Sequence, residues 1–275
     1  MKQGWRAHRA RAGKLIPLLR AFAVDPARVI RALPDELRQK RGDGPYADSD
    51  VAQNWFEDLH GILGAAWPCP DSGELDRLLE GIAARLEAAG LGTGRHTYGW
   101  YSDAERSLCS AIWCAVRHVR PDVVIETGVA HGVSSRVVLE ALRHNDRGHL
   151  FSIDLPHPLD HRLHAQTGVA VTDGCRARWT YLEGSSRHRL PSVVTGVDQV
   201  HVFIHDSLHT AKNTLFEMEQ VATRMPPGGV MLIDDIGAHD GFATFARIYP
   251  GYRTIVCPTP DRIGMFGIAV NTTTP

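Results

Sequence analysis

The hydrophobic positions of this chain change their spacing along its length. In residues 55–63, 72–89 and 104–119 they recur at helical spacing, which predicts amphipathic helices. From residue 121 onward, short runs of apolar residues alternate with further amphipathic segments, and this alternation is typical of parallel strands covered by helices. The pattern therefore predicts an α/β fold, with helices on both faces of a mostly parallel sheet and a helical cap before it.

The segment PDVVIETGVAHGVSSRVVLEAL, residues 121–142, carries the most specific signal. A buried type of strand ends at Glu126, Gly128 and Gly132 allow a tight turn with close backbone approach, and a helix begins near Ser134. The spacing E-x-G-x-x-x-G differs from the G-x-G-x-x-G and P-loop patterns that cradle phosphates. An acidic residue before the turn repels a pyrophosphate and favours a cationic or hydroxyl-bearing ligand, which indicates S-adenosylmethionine over NAD or ATP.

Four further segments follow in order: GHLFSIDLP, RWTYLEGSSRHRLPSV, VDQVHVFIHDSLHTAKNTLFEMEQV and MPPGGVMLIDDI. Each is predicted to form a strand followed by polar residues, at the sheet edge where ligands of such folds bind. Together with the glycine turn they make roughly the last two-thirds of the chain resemble the class I S-adenosylmethionine-dependent methyltransferases, most closely the small-molecule and sugar O-methyltransferase branches. The resemblance implies a Rossmann-like seven-stranded sheet, completed by an antiparallel hairpin near residues 252–271.

The resemblance also implies which residues bind the cofactor. Asp154, about twenty residues after the glycine turn, is expected to bind the ribose hydroxyls, although capping of a helix is a simpler alternative. Gly184, Ser185 and Ser186 are expected near the adenine. The other implied cofactor-binding positions are Glu126, Thr127, Gly128, Ala130, Gly132, Ser134, Ser135, Leu155 and His205.

Methyl transfer to an alcohol requires in-line alignment of the acceptor and removal of its proton. Two solutions stay open: a divalent cation lowers the pKa of the hydroxyl, or a neutral histidine acts as general base. Related enzymes read D-G-D-H-S after the fourth strand, whereas this chain reads D-S-L-H-T, with Leu208 in place of the second acid. The predicted catalytic residues are Asp206 and His209, and the predicted Mg²⁺ ligands are Asp206, Asp234 and Asp235. In simpler alternatives one acid caps a helix, and His209 satisfies backbone groups.

Two parts are predicted along the chain. Residues 1–95 would form a leader and a helical cap, and residues 96–275 the S-adenosylmethionine-binding methyltransferase domain. The leader KQGWRAHRARAGKLIPLLRAFAV is basic and lacks the pattern of a signal peptide; a solvated leader is favoured over a membrane-surface helix, and stable membrane insertion is not expected. Tyr98, Trp100 and Tyr101 either line the mouth of the pocket or fill the gap between cap and sheet, and we favour the second.

Composition narrows the function classes. Among the 275 residues, 30 Lys and Arg balance 31 Asp and Glu, and no basic patch suggests a nucleic-acid partner. The five cysteines are odd in number and form no C-x-x-C pair, which predicts neither a disulfide framework nor a zinc site and favours the cytoplasm. Exposed apolar faces on the cap helices make a homodimer an open expectation.

The predicted function is methyl transfer from S-adenosylmethionine to a hydroxyl of a small molecule or glycan, with Mg²⁺ as a further cofactor if the reaction is metal-assisted. Two rivals remain. An NAD-dependent oxidoreductase could use a similar sheet, but the phosphate-type glycine triplet is missing. A non-catalytic binding protein of methyltransferase fold is the other rival, and Leu208 is the reason to consider it.

Overall fold

The computed structural model describes residues 45–92, 97–98, 103–155, 161–259 and 264–273. The basic leader, Trp100 and Tyr101 lie outside the described residues, and the predictions made for them stay predictions.

The described residues form one central sheet of seven strands. The strands are β1 (Val123–Thr127), β2 (His149–Asp154), β3 (Trp179–Glu183), β4 (Val202–His205), β5 (Val230–Ile233), β6 (Tyr252–Pro258) and β7 (Met265–Asn271). Their order is β3-β2-β1-β4-β5-β7-β6; β1 to β5 are parallel, and β7 is antiparallel to both of its neighbours. The predicted mostly parallel sheet with a closing hairpin is confirmed.

Helices cover both faces of this sheet, as predicted. They are α1 (Trp55–Leu63), α2 (Ser72–Ala88), α3 (Arg106–Val119), α4 (Val133–Asn145), α5 (Ser186–Thr195), α6 (Ala211–Ala222) and α7 (Gly241–Ile248). Short 3-10 turns lie at Asp48–Asp50, His161–Gln166, Asp173–Arg178 and Ile236–Ala238. The first four helices build the hydrophobic core on one face, and the last three build the core on the other.

Side-chain alternation along the inner strands explains why their sequences are almost continuously apolar. Val124 belongs to the core on one face and Ile125 to the core on the other; Val202 and Phe203 divide in the same way. Because successive side chains of a strand point to opposite faces, a strand covered on both faces needs apolar residues at every position. Polar side chains that could bind a ligand are therefore expected at the ends of these strands.

Helix α3 lies at the centre of the first helical layer, and most of its side chains between residues 108 and 116 are buried. It begins two residues after the predicted Ala104, because Glu105 is its N-cap and accepts a hydrogen bond from the Leu108 amide at 2.9 Å. It ends where Arg120 adopts a left-handed conformation with φ of 51°. The existence of the helix was predictable, and local capping sets its exact limits.

The N-terminal helices α1 and α2 add an outer layer to the same face. Leu59 of α1 and Leu75, Ile82 and Leu86 of α2 are buried in the core that α3 and α4 share with the sheet. The predicted helical cap is thus present in the described residues, packed on a face of the sheet. The predicted boundary at residues 95 and 96 stays a prediction.

Large apolar side chains are exposed at separate places among the described residues. The exposed large apolar side chains, Trp67, Leu155 and Ile248, belong to three separate segments, and the homodimer stays a prediction. In the part of the chain that the structure describes, no helix has both the length and the apolar character needed to span a bilayer.

Candidate active site

The glycine turn after β1 lies between the carboxyl ends of β2 and β4. Gly128 has a φ of 88°, and a Cβ there would lie 1.8 Å from the backbone oxygen of Asp206. Its amide donates to the Ile153 carbonyl at 2.9 Å, and the Val129 amide donates to the carboxylate of Asp154 at 3.3 Å. The need for glycine at position 128 follows from this close approach of three chain segments.

The second glycine of the turn, Gly132, caps α4 with a φ of 83°. A Cβ there would lie 2.9 Å from the Cα of Gly168, whose amide donates to the Ala130 carbonyl at 2.9 Å. Ala130 has a φ of 46°, a left-handed conformation that is uncommon for a residue with a side chain. The turn is therefore held in one shape by its neighbours, and contact of Ala130 with a cofactor stays a prediction.

Glu126 lies beneath the turn with a fully buried carboxylate. The hydroxyls of Ser134 and Ser135 each donate to it at 2.6 Å, and that of Ser152 donates at 2.7 Å. Burial raises the pKa of Glu126 to about 7, although the three hydroxyls act in the opposite direction. The side chains of Glu126, Ser134 and Ser135 are thus engaged with one another and fasten α4 to the sheet, and contact of these three residues with a cofactor stays a prediction.

Asp154 ends β2 at the same edge, with a partly exposed side chain. The Gly184 amide donates to the Asp154 carbonyl at 2.8 Å, so the turn after β3 lies beside it. Ser185 caps α5, which begins at Ser186, and Leu155 is half exposed. The structure thus brings the predicted ribose-binding and adenine-binding residues together, next to the glycine turn.

Three carboxylates surround His209 at the ends of β4 and β5. The imidazole Nε2 lies 3.5 Å from Asp206 Oδ1 and 3.9 Å from Asp234 Oδ2. Nδ1 lies 3.2 Å from Asp235 Oδ2, and Asp235 has a left-handed backbone with a φ of 53°. The Asp235 side chain does not cap the 3-10 turn that follows. The simpler alternatives, helix capping by this acid and backbone bonding by His209, are therefore not observed.

Mutual electrostatics shift the pKa values within this cluster. Burial lowers the pKa of His209, but its contacts with Asp206 and Asp235 outweigh burial and raise it well above the usual value. Burial, followed by the charge of Asp206, raises the pKa of Asp234, whereas hydrogen bonding to His209 lowers that of Asp235. The role of His209 as a neutral base stays a prediction.

A divalent cation fits the cluster, but with a ligand set other than the predicted one. Asp206, His209 and Asp234 each offer a ligand atom, and these atoms lie within 4.8 Å of one another. His209 Nε2, which faces the two carboxylates, is buried and has no hydrogen-bond partner. Asp235 contacts the other nitrogen of the ring, so it orients His209 instead of completing the set. Two carboxylates and one imidazole suit Mn²⁺ as well as Mg²⁺.

Thr127 and His205 take part in a buried network beneath the strand ends, and the His205 ring also packs edge-on against His209, with centroids 5.6 Å apart. The carboxylate of Glu217, on α6, accepts hydrogen bonds from Thr127 Oγ1 at 2.6 Å and from His205 Nδ1 at 2.7 Å. Ser207 and Asn213 donate to its other oxygen at 2.9 and 2.8 Å. These two side chains therefore support the sheet edge from below, and contact of Thr127 and His205 with a cofactor stays a prediction. Glu217 was not predicted, although it occupies the buried face of α6.

Asp103 and His131, which the sequence did not identify, hold the outer side of the glycine turn. His131, inside the turn, donates from Nδ1 to Asp103 Oδ1 at 3.1 Å, and Thr97 donates to the other Asp103 oxygen at 2.9 Å. Tyr98 packs edge-on against His131 with ring centroids 5.2 Å apart and is 3% exposed. Tyr98 is thus buried against the glycine turn, and its filling of the gap between cap and sheet stays a prediction.

The strand order, with an antiparallel seventh strand inserted beside β5, and the glycine turn at the carboxyl edge define the fold of a class I methyltransferase. Residues 125–236 match a family model described as a methyltransferase domain. This match spans less than half of the chain and includes the glycine turn, Asp154 and the His209 cluster. No curated protein matches the chain by sequence.

Solved structures support the same fold. The O-methyltransferase TomG from Streptomyces achromogenes, involved in tomaymycin synthesis and solved with SAM, is 15% identical with a TM-score of 0.53, over 71% of this chain and 90% of that chain. An O-methyltransferase from Bacillus cereus solved with SAH is 12% identical, with a TM-score of 0.51 over 82% and 99%. The SAH-bound methyltransferase PaMTH1 from Podospora anserina is 14% identical, with a TM-score of 0.50 over 83% and 98%.

Proposed function

We propose that this chain is an enzyme that transfers the methyl group of S-adenosylmethionine to a hydroxyl of a small molecule or glycan, with a divalent cation held by Asp206, His209 and Asp234. The observation that carries the proposal is the position of this cluster: it lies one strand away from the glycine turn, since Gly128 touches the backbone of Asp206. Cofactor turn and polar cluster therefore share one edge of the sheet, where open α/β folds bind their ligands.

The residues at the turn fit S-adenosylmethionine. Gly128 leaves room for close approach by removing a side chain, Asp154 offers a partly exposed carboxylate to ribose hydroxyls, and the turn at Gly184 lies beside it for the adenine. The bound sulfonium supplies an already activated methyl group, so the protein needs to supply alignment and proton removal. Glu126 acts from beneath by holding the turn in shape.

The cluster fits the second requirement. Three carboxyl groups surround one imidazole, and a divalent cation that displaces the Nε2 proton of His209 would offset their negative charge. A cation bound there would lower the pKa of an acceptor hydroxyl and orient it. Asp235 would hold the ring through Nδ1 and leave Nε2 for the cation, as a second-layer carboxylate does in known metal sites.

Both rival functions are less well supported. Dinucleotide-binding sheets of the 3-2-1-4-5-6 order have a phosphate-type glycine triplet, and this chain has neither that strand order nor that triplet. The non-catalytic alternative rests on Leu208, but Asp206, His209 and Asp234 converge without an acid at that position. These observations favour an active enzyme.

A methyl-transfer assay tests the proposal. Purified protein is incubated with isotopically labelled S-adenosylmethionine, MgCl₂ or MnCl₂, and a panel of phenols, catechols and sugars, and products are followed by mass spectrometry. We expect labelled methyl ethers, a loss of at least about 100-fold in rate for Asp234→Asn, and little change for Glu183→Gln, an exposed carboxylate at the same edge. Labelled methyl on amines only, or equal rates for Asp234→Asn, would contradict the metal-assisted O-methyl transfer.

A further inference from the structure

A second group of potential metal ligands lies among the N-terminal helices, and none of its residues belongs to the proposed active site. His60 on α1, Cys69 in the following loop, and Cys114 and His118 on α3 each direct one ligand atom to a common point, and these atoms lie within 4.8 Å of one another. The absence of a C-x-x-C pair predicted no zinc site. The argument from C-x-x-C spacing does not cover this group, because the four side chains come from three separate segments that only the fold brings together.

The distances match those between the ligands of a tetrahedral zinc ion. Cys69 Sγ and Cys114 Sγ are 3.5 Å apart, Cys114 Sγ and His60 Nε2 are 3.6 Å apart, and Cys69 Sγ and His118 Nε2 are 3.8 Å apart. With Zn–S bonds of about 2.3 Å and Zn–N bonds of about 2.0 Å, neighbouring ligands of a tetrahedron are about 3.3–3.8 Å apart. Two thiols and two imidazoles at these separations need only small movements to share one ion.

One ligand is already oriented for coordination. His60 Nδ1 lies 2.7 Å from the carbonyl oxygen of Phe56, and since a carbonyl only accepts, Nδ1 carries the proton. The Nε2 lone pair is thereby directed toward Cys114. A ring nitrogen bonded to a backbone carbonyl is the usual outer support of a histidine that binds metal. Cys114 and His118 are four residues apart on α3, which places both on one face of the helix.

Burial explains why zinc would be the ion. Cys69, Cys114 and His60 are 6%, 1% and 0% exposed. Binding would ionise both thiols and release two protons, and two thiolates neutralise the charge of one Zn²⁺, so the occupied site would carry no net charge into the protein interior. Soft thiolates with imidazoles favour Zn²⁺ over Mg²⁺, Ca²⁺ and Mn²⁺.

We propose that His60, Cys69, Cys114 and His118 form a structural zinc site that joins α1 and the loop after it to α3. All four positions of the tetrahedron are filled by protein, so the ion has no open position for a substrate or water. The site anchors the outer helical layer to the helix that packs on the sheet. It does not depend on the proposed methyl transfer.

Metal analysis of the full chain, purified under reducing conditions, tests this proposal. Elemental analysis is expected to find one zinc per chain, and exchange of zinc for Co²⁺ is expected to produce the strong thiolate-to-cobalt absorption of a tetrahedral site. Cys114→Ser should lose both signals, whereas Cys175→Ser, a buried cysteine elsewhere, should keep both. Asp234→Asn should also keep the thiolate absorption, which separates this site from the carboxylate cluster. Removal of zinc should lower Tm by about 5 °C or more.

If Cys114→Ser fails to fold, metal removal and rebinding in the wild-type protein provide the test. Chelator-stripped wild type that regains one equivalent of Co²⁺ with thiolate absorption supports the site. Stripped protein that binds no Co²⁺, Co²⁺ bound without thiolate absorption, or a Cys69–Cys114 disulfide found by mass spectrometry in the isolated protein would each overturn it.

Discussion

The carboxylate of Glu126 is fully buried, and it also fastens the glycine turn through its hydrogen bonds. Burial raises its pKa from 4.5 to about 7, so between these two pH values the folded protein binds more protons than the unfolded chain does. The contribution of Glu126 to the free energy of unfolding is therefore greatest below pH 4.5 and falls as pH rises toward about 7.

Glu126→Gln tests this linkage, since a glutamine is neutral in both states. We expect the difference in free energy of unfolding between wild type and this variant to fall by about 3 kcal/mol from pH 4.5 to pH 7 and to stay constant above it. Urea denaturation at a series of pH values measures the difference. A difference that does not vary with pH would show that the carboxylate is ionised in the folded protein.

At the scale of single residues, the sequence predicted which side chains lie at this sheet edge but not the direction of each. Gly128, Asp154, Asp206 and His209 all lie at the predicted edge, because strand ends determine their position. The direction of a side chain depends on what packs below it, and this was not visible: Asp235 turned out to face the opposite side of the imidazole from Asp234.

Helix α6 shows what was and was not predictable for an element. Helical spacing grouped Leu215, Met218 and Val221 on one face of the helix; Met218 and Val221 are buried, and Leu215 is partly buried. The same face also carries Asn213, Thr214 and Glu217, and the polarity of these residues concealed their burial. Polar residues at three to four residue intervals on an otherwise buried face were the available signal, since such residues are buried when they have partners.

Glu217 is expected to hold α6 against β4. Its charge interaction with His205 outweighs the effect of burial and lowers its pKa to about 2, so this stabilisation is present above pH 4.5 and is lost as pH falls toward 2. Glu217→Gln should lower the free energy of unfolding at pH 7 by about 3 kcal/mol, because the side chains that donate to Glu217 lose their carboxylate acceptor. Glu219→Gln, on the opposite side of the helix, should change it by less than about 0.5 kcal/mol. A loss as small for Glu217→Gln would contradict the structural role.

For the whole molecule, the order of elements was the most predictable property. Alternation of strands and helices, with right-handed crossovers, leaves few arrangements for the sheet, and the observed one agrees with the resemblance. The packing of the N-terminal helices was less predictable from the sequence. Their apolar faces were visible in the sequence, but their partner, α3, and the meeting of His60 with Cys114 depend on tertiary structure alone.

Calorimetric titration with S-adenosylmethionine and its demethylated product, with and without MgCl₂, is the most direct test of cofactor binding at the glycine turn. We expect micromolar binding that Asp154→Ala abolishes and Glu183→Ala preserves. The two carboxylates end neighbouring strands, but only Asp154 adjoins the glycine turn. We also expect heat from Mg²⁺ that disappears in Asp234→Asn. Failure of the folded wild-type protein to bind either ligand would contradict the assignment of this site to methyl transfer.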